Sequence, residues 1–416
     1  MPNSSLKLCF VADATNIHVQ RWLRYFLDQG HQVYCLTDRH DKGRLEHLAG
    51  ASIIDIPNRE TLAQEAKKTD KMSVLKARGK AIRRLLKEIK PDILHAIFLH
   101  QRGWSAAYAG FQPLVISLLG SDMLLPRKHY RSKAELRRDE KLNALTLRQA
   151  SLITGVSDDL CKIAARLTRM RSLVEMLPIG IDPELFVPDL DTSDLRERLN
   201  IPENAFVILS PRQITSLYNQ ETIIQSLPKV LSEIPNAILI LKDTSCNTDE
   251  RKAYVKKLKA LSQSLKVDYA IRWEAEVGME ELPYFYNLAD LVISIPSTDG
   301  MPVTIFEAMA CRKPVIVGDL PAYDHVILNG QTGLRVPLRN HQALALAIIK
   351  LRGNQELRER ILEESQLILQ EYGIFDQQMQ RMERYYFALK NGRMNRPKSA
   401  WSWMDALKFN VIAHFA

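Results

Sequence analysis

The chain has 416 residues, with 57 Lys plus Arg against 48 Asp plus Glu and a formal net charge of +9. A composition that is 46% hydrophobic and 25% charged excludes a disordered or fibrous chain. The length exceeds what one hydrophobic core usually serves, so two domains are expected. The charge is unevenly placed: residues 1–185 carry 30 Lys plus Arg and 20 Asp plus Glu, and residues 186–416 carry the remaining 27 and 28. An acidic partner therefore belongs to the first half. No apolar run reaches the ~18 residues of a membrane span. The opening Met1-Pro2-Asn3-Ser4-Ser5-Leu6-Lys7 leads into a strand-like run instead of a signal-peptide core. Cys9, Cys35, Cys161, Cys246 and Cys311 are scattered, without zinc or disulfide spacing. These features together predict a cytoplasmic protein.

In chain order, Leu6–Ala12 reads as a strand, Val19–Gln29 as a helix ended by Gly30, and His31–Thr37 and Ser52–Ile56 as strands. Val74–Lys90 is an amphipathic helix closed by Pro91, followed by strands at Ile93–Phe98 and Leu114–Leu118. Strands alternating with helices at this spacing predict a parallel sheet with crossover helices. The pattern restarts with strands at Ala205–Ser210, Ala237–Leu241, Tyr269–Trp273, Leu291–Ile295 and Pro314–Val317. Helical stretches lie between them at Gln220–Glu233, Asp249–Leu265, Glu280–Leu288 and Thr304–Ala310. The polar, acidic segment Phe186–Arg196 is the expected linker. The expected domains are residues 1–187 and 188–372, followed by a helix over 373–390 and a tail over 391–416. Two α/β halves joined near residue 188 predict a ligand cleft at the carboxyl ends of two sheets.

The chemistry is most legible from Ser297 to Ile316, which reads STDGMPVTIFEAMACRKPVI. Asp299 lies in a loop after a strand, and Pro302 suits a helix start. Glu307 falls about a turn inside that helix, so both carboxylates can reach one ligand. Carboxylates accept hydrogen bonds from hydroxyl pairs, and the unpaired N–H groups of the helix start would face an anion. A capped helix with Glu307 on a solvated face is the plainer explanation of the pair alone. The whole segment closely resembles the donor-site signature of glycosyltransferase family 4, in which two acids flank seven residues and Glu-Ala-Met-Ala leads to Pro-Val-Ile. Asp299 stands where the family usually has Glu. The resemblance implies the GT-B fold, an α/β architecture of two Rossmann-like domains with parallel sheets facing across a cleft. It implies donor contacts from Asp299, Gly300, Met301, Val303, Thr304 and Glu307.

Two further segments carry the resemblance. Leu177-Pro178-Ile179-Gly180-Ile181-Asp182-Pro183-Glu184-Leu185-Phe186 is similar to the family's interdomain segment, with Ile179 in place of Asn. Arg212, in Ser210-Pro211-Arg212, matches the Arg that grips the donor diphosphate, a role suited to forked donors. The Lys expected five residues on is Leu217, and Lys242 is the candidate to replace it. The catalytic set is therefore Arg212, Asp299 and Glu307, with Lys242 in the donor site. In the first half, Asp13 through Trp22 resembles a His-containing variant of the family's first loop, which makes His18 and Arg21 acceptor-side candidates. Gly120-Ser121-Asp122 matches a family tripeptide and adds Asp122, although Leu119 stands where many relatives have His. His95 and His100 flank a strand end, and His100 joins the acceptor-side set.

The implied reaction is retaining, metal-independent transfer of a sugar from a nucleotide-diphosphate sugar to a polysaccharide, cell-envelope or lipid-linked acceptor. The resemblance implies no cofactor beyond that co-substrate. Asp189-Leu190-Asp191 lies in the linker and is not a metal motif. Basic residues crowd two stretches, Lys67–Lys90 and Arg127–Lys141. A solvated helix face would explain the first. Together they are candidates for an anionic membrane surface or an acidic acceptor, and no recognition motif accompanies them that would favour nucleic acid. A catalytically weak homologue serving as a partner subunit, or a sugar-nucleotide epimerase, remain the alternatives.

Overall fold

The computed structural model describes residues 5–39, 48–58, 60–61, 70–124, 132–169, 173–242, 248–275 and 277–394. Lys67, Lys68, Arg127, Lys128, Arg131, Cys246 and most of the 391–416 tail fall outside the described residues. The chain divides into two compact units, Met1–Pro178 with Asp376–Ala416, and Ile179–Phe375.

The first unit is a seven-stranded parallel sheet: β1 (Lys7–Val11), β2 (Gln32–Thr37), β3 (Ser52–Asp55), β4 (Ile93–Ile97), β5 (Leu114–Leu118), β6 (Leu152–Gly155) and β7 (Leu173–Met176). Their spatial order is β3-β2-β1-β4-β5-β6-β7, so the winding reverses between β1 and β4. Both central strands β4 and β5 are buried along their full length, as a sheet covered on both faces requires. The covering helices are α1 (Ile17–Asp28), α2 (Lys71–Ile89), α3 (Trp104–Ala109), α4 (Lys133–Gln149) and α5 (Asp158–Thr168). Asn16, Asp70, Ser132 and Ser157 cap α1, α2, α4 and α5 with side-chain oxygens on first-turn N–H groups. The core joins Leu94, Ile116 and Ile153 of the sheet to Leu75, Ile82 and Leu86 of α2 and Trp104 of α3.

The helix Phe375–Lys390 contributes its residues from Asp376 onward to this unit. Tyr386 is buried and its hydroxyl lies 2.5 Å from Nδ1 of His95, whose Nε2 is 2.7 Å from Ser117 Oγ. Glu383 meets His31 Nε2 at 2.9 Å, while His31 Nδ1 accepts from the Leu6 amide. Burial lowers the His95 pKa to about 3, so the ring is neutral in the native state. The unfolded chain binds this proton near pH 6.5, hence the contribution of His95 is fully present above that pH and is lost as pH falls towards 3. Between pH 6.5 and 5 the loss from this group approaches ~2 kcal/mol. Urea unfolding at several pH values should show His95→Asn with a shallower decline than the parent.

The second unit begins before the expected linker. Ile181 pairs with Ile374, its amide donates to Gly373 O at 2.7 Å, and the Phe375 amide donates to Ile181 O at 2.9 Å. Gly180 has φ +74° at this crossing, and a Cβ there would lie 2.7 Å from the Phe375 nitrogen. That position therefore demands glycine. Phe186 packs on Tyr286 with ring centroids 5.9 Å apart, and Asn287 Nδ2 donates to Val187 O. The acidic stretch after it folds as α6 (Ser193–Arg198). Composition marked this segment as polar, but Phe186 and Leu195 are buried and dock it onto the second unit.

The sheet of this unit contains β8 (Phe206–Ser210), β9 (Ala237–Lys242), β10 (Ile271–Glu274), β11 (Leu291–Ser294), β12 (Val315–Gly318) and β13 (Leu334–Val336). All pairs are parallel, in the order β10-β9-β8-β11-β12-β13. The helices are α7 (Gln220–Glu233), α8 (Asp249–Ser264), α9 (Leu282–Leu288), α10 (Val303–Ala310), α11 (His341–Gly353) and α12 (Gln355–Ile368). Ile208, Leu239 and Ile293 of the sheet form one core with Ile224, Leu227 and Ile348 of the helices. The winding reverses between β8 and β11, which marks the carboxyl ends of these two strands as the ligand position of such a sheet.

Candidate active site

Arg212 follows β8 and Asp299 follows β11, on the two sides of that reversal. Arg212 Nη2 lies 2.9 Å from Asp299 Oδ2, and Nη1 reaches Thr304 Oγ1 at 3.4 Å. The guanidinium carbon stands 4.3 Å from the centre of the Tyr218 ring. Burial works against charge on Arg212, but Asp299, Tyr218 and Tyr323 outweigh it and hold the pKa above its ordinary value. A permanently charged, forked donor is thus fixed at the switch point. Asp299 has further partners: its Oδ1 accepts from the Gly300 amide at 2.8 Å, and its Oδ2 from Tyr323 Oη at 3.4 Å.

Helix α10 begins at Val303, between the two starts the sequence offers, Pro302 and Thr304. Pro302 has extended backbone (φ −76°, ψ 138°) at the cap position, and Val303 is the first helical residue. The missing proline N–H therefore costs the first turn nothing, and no acidic side chain occupies that turn. The Ile305 N–H donates to Pro302 O at 3.3 Å, which leaves the N–H groups of Val303 and Thr304 to face an anion, with the helix dipole in support. Met301 is buried.

Glu307 lies one turn further along α10 and is only 4% exposed. Its Oε2 accepts from Tyr286 Oη at 2.5 Å. Burial, and then the Glu307 charge, raises the Tyr286 pKa well above the phenol range, so this hydroxyl stays a donor. Glu307 is therefore not on a solvated face. Tyr286 sits on α9, 21 residues before Glu307, a distance at which no motif spacing announces it. Replacing Tyr286 with Phe removes one donor from a buried carboxylate and should lower stability by about 1–3 kcal/mol. Denaturant melts would read that loss, and a several-fold rise in donor KM would separate positioning from packing.

Among the donor-side residues, Arg212, Asp299, Gly300 and Thr304 come together directly, with Val303 beside them. Lys242 ends β9 and is buried, paired in register with Glu274 of β10. Leu217 occupies a short 3-10 turn, Ser216–Tyr218, where its carbonyl accepts from the Ser297 amide at 2.7 Å. The next residue, Tyr218, covers the guanidinium of Arg212. Tyr218, Tyr286 and Tyr323 are the site residues that motif reading missed. Among the described residues, no three His, Cys, Asp or Glu side chains converge as a metal site would require.

The acceptor-side candidates lie in the first unit, where Asp122 bonds to the loop that carries His100. His18 is the second residue of α1, but Asn16 is the cap. Burial, then Arg21, lowers the His18 pKa to about 4. His100 Nε2 is 3.3 Å from Asn143 Nδ2, and its ring lies 5.1 Å from Trp104; burial, then Lys71, lowers its pKa to about 4. Asp122 is buried and accepts from the amides of Leu99 (3.0 Å), Leu119 (3.2 Å) and Gly120 (2.9 Å). Burial raises its pKa to about 6 against these donors. Its carboxyl group is occupied in tying the loop after β4 to the loop after β5. In the first basic stretch, Arg78 is buried instead of solvated, while Lys80, Arg84, Lys87 and Lys90 are exposed.

The two doubly wound parallel sheets have the architecture of a GT-B protein. Sucrose-phosphate synthase from Thermosynechococcus elongatus superposes with a TM-score of 0.76 at 18% identity, over 92% of this chain and 99% of that one. The Anabaena protein HepE, crystallised with UDP and glucose, gives 0.73 at 18% identity over 92% and 100%. The family described as glycosyl transferases group 1 matches residues 191–367, and the glycosyl transferase 4-like family matches residues 7–157. The second unit thus belongs to the family described as glycosyl transferases group 1, and the first to the glycosyl transferase 4-like family. The chain is similar to the GDP-mannose-dependent alpha-(1-6)-phosphatidylinositol monomannoside mannosyltransferase of Mycolicibacterium smegmatis, at 25% identity over 47% of this chain and 53% of that protein. It is also similar to the putative teichuronic acid biosynthesis glycosyltransferase TuaC of Bacillus subtilis, at 26% identity over 65% and 63%. The chain thus spans less than two thirds of the length of either relative.

Proposed function

We propose that the protein transfers a sugar from a nucleotide-diphosphate donor to a glycan or lipid-linked acceptor, with retention of anomeric configuration and without a metal. The observation that carries this reading is the Arg212–Asp299 pair at the switch point of the second sheet, beside the first turn of α10. A leaving diphosphate there meets a fixed guanidinium and a helix N-terminus, so charge developing in the transition state is stabilised by groups already in place. Asp299 and Glu307 are suited to accept from sugar and ribose hydroxyls. Arg212 and the dipole of α10 supply, within the protein, the positive potential that a metal would otherwise provide. The acceptor class is supported by the names of the two curated relatives, which refer to a phosphatidylinositol mannoside and to teichuronic acid.

Peripheral attachment to an anionic membrane on the cytoplasmic face is supported by Lys80, Arg84, Lys87 and Lys90, exposed on and just beyond α2. Among the described residues, no helix is long and apolar enough to cross a membrane. The test is slow donor hydrolysis in EDTA, followed by NMR. The first sugar released should keep the donor's anomeric configuration, at a rate the chelator leaves unchanged. Inversion, or loss of turnover in EDTA restored by a divalent ion, would overturn the mechanism. Donor binding without any turnover would favour the partner-subunit alternative.

A further inference from the structure

The first sheet has its own reversal of winding, between β1 and β4, and its carboxyl ends carry a charged cluster that the donor chemistry does not use. Asp13 follows β1, Asp38 and Arg39 follow β2, Arg102 lies in the loop after β4, and Arg78 reaches in from α2. Arg102 Nη2 stands 2.7 Å from Asp38 Oδ1 and 3.3 Å from Asp13 Oδ2. Arg78 Nη2 lies 2.9 Å from Asp38 Oδ2, and its Nε donates to Pro57 O at 3.0 Å. Arg39 Nη1 approaches Asp13 Oδ2 only to 3.5 Å, and its side chain is 70% exposed.

Among the described residues, three arginines thus face two aspartates, an excess of one positive charge. Arg78 is 1% exposed, and its Nη1 is buried without a hydrogen-bond partner among the described residues. An unmet donor on a buried charged group is costly and calls for an acceptor. Burial, and less strongly the neighbouring Arg102, lowers the Arg78 pKa against the pull of Asp38. An added anion would relieve that burden. The loop that delivers Arg102 is held in left-handed backbone at two non-glycine residues, Phe98 (φ +80°) and Gln101 (φ +54°). Such conformations persist where the surroundings enforce them.

We propose that Arg39, Arg78 and Arg102 form an oxyanion subsite at the carboxyl ends of β1, β2 and β4, which receives a phosphate or carboxylate group carried by the acceptor. This rests on the reading of the protein as a glycosyltransferase with a separate acceptor. The long contacts to Asp13 are the ones an incoming oxygen displaces, after which Asp13 is placed to accept from a hydroxyl of the acceptor. Forked guanidinium donors match phosphate and carboxylate alike, so the two must be separated by experiment.

The test titrates the full chain with inorganic phosphate, with glucuronate and with neutral methyl glucoside, at constant ionic strength. Phosphate or glucuronate should bind more tightly than methyl glucoside. Binding of phosphate alone identifies a phosphorylated acceptor, and binding of glucuronate alone an acidic sugar. Arg102→Ala should weaken the bound anion by about tenfold or more, and Arg102→Lys should restore only part, because an ammonium lacks the fork. Arg39→Ala, at an exposed position, should weaken it severalfold and carries the test if Arg102→Ala fails to fold by circular dichroism. Failure of both anions to bind, or equal affinity in the parent and in folded variants, overturns the subsite. A parallel titration of the parent with sugar nucleotides separates the two claims. Donor binding without anion binding removes the subsite and leaves the glycosyltransferase reading intact. Anion binding without donor binding removes that reading, and the acceptor assignment with it.

Discussion

Glu307→Ala is expected to reduce kcat/KM for the donor by about a hundredfold to a thousandfold, the loss of one or two charge-assisted hydrogen bonds to ligand hydroxyls. The carboxylate is buried on α10 and held by the Tyr286 hydroxyl, so its position is set before any ligand arrives. Preorganisation of this kind makes its removal expensive. Glu307→Gln should retain part of the activity, since an amide oxygen still accepts. Truncation also leaves the Tyr286 hydroxyl in a dry site without this acceptor. A modest fall in Tm is therefore expected alongside the kinetic loss, and kinetics should be measured well below the transition. Near-normal donor affinity in folded Glu307→Ala would contradict the placement of ribose or sugar hydroxyls at this residue.

Arg212→Ala should be at least as damaging, with a loss in kcat/KM on the order of a hundredfold to a thousandfold, as for removal of other preorganised charge stabilisers. Two effects combine. The diphosphate loses its forked donor, and Asp299 loses the cation 2.9 Å away and becomes an uncompensated negative charge facing an anionic ligand. The second effect can be isolated. Adding Asp299→Asn to Arg212→Ala should recover about tenfold in donor affinity, whereas Asp299→Asn alone should weaken binding. Additive losses in the double variant would show that the pair does not act as a unit. Arg212→Lys should fall between, because a point charge satisfies one phosphate oxygen and does not stack on Tyr218 as a planar guanidinium does.

Much of this site was legible because its residues lie in one contiguous segment. Asp299, Thr304 and Glu307 are placed by a strand, a loop and a helix start, and the helix boundary differs from expectation by one residue. Arg212 was readable from its position after the first strand of the second unit. What was not legible depends on contacts between distant segments. Tyr286 and Tyr323 reach the two carboxylates from α9 and from the turn after β12, at separations that no local period encodes. Arg78 looked like one more cation on a basic helix, yet it points beneath the sheet ends to Asp38, 40 residues away. Likewise Phe186–Arg196 has the composition of a linker, but Phe186 finds a ring to pack on and the chain after it finds a helix. The strand pattern was sound where runs were long and apolar. Strands β6, β7 and β13 pass unnoticed because Glu175 and Arg335 interrupt β7 and β13 and β6 ends in Thr154-Gly155, so none reads as an apolar run.

The most direct test is a calorimetric titration of the protein with UDP-, GDP- and ADP-sugars, run in parallel on the parent and on Glu307→Ala. At least one of the three should bind the parent, and the same ligand should bind folded Glu307→Ala at least about a hundredfold more weakly. Absence of binding by all three to the parent, or equal binding to both proteins, would contradict the donor site built on Arg212, Asp299 and Glu307.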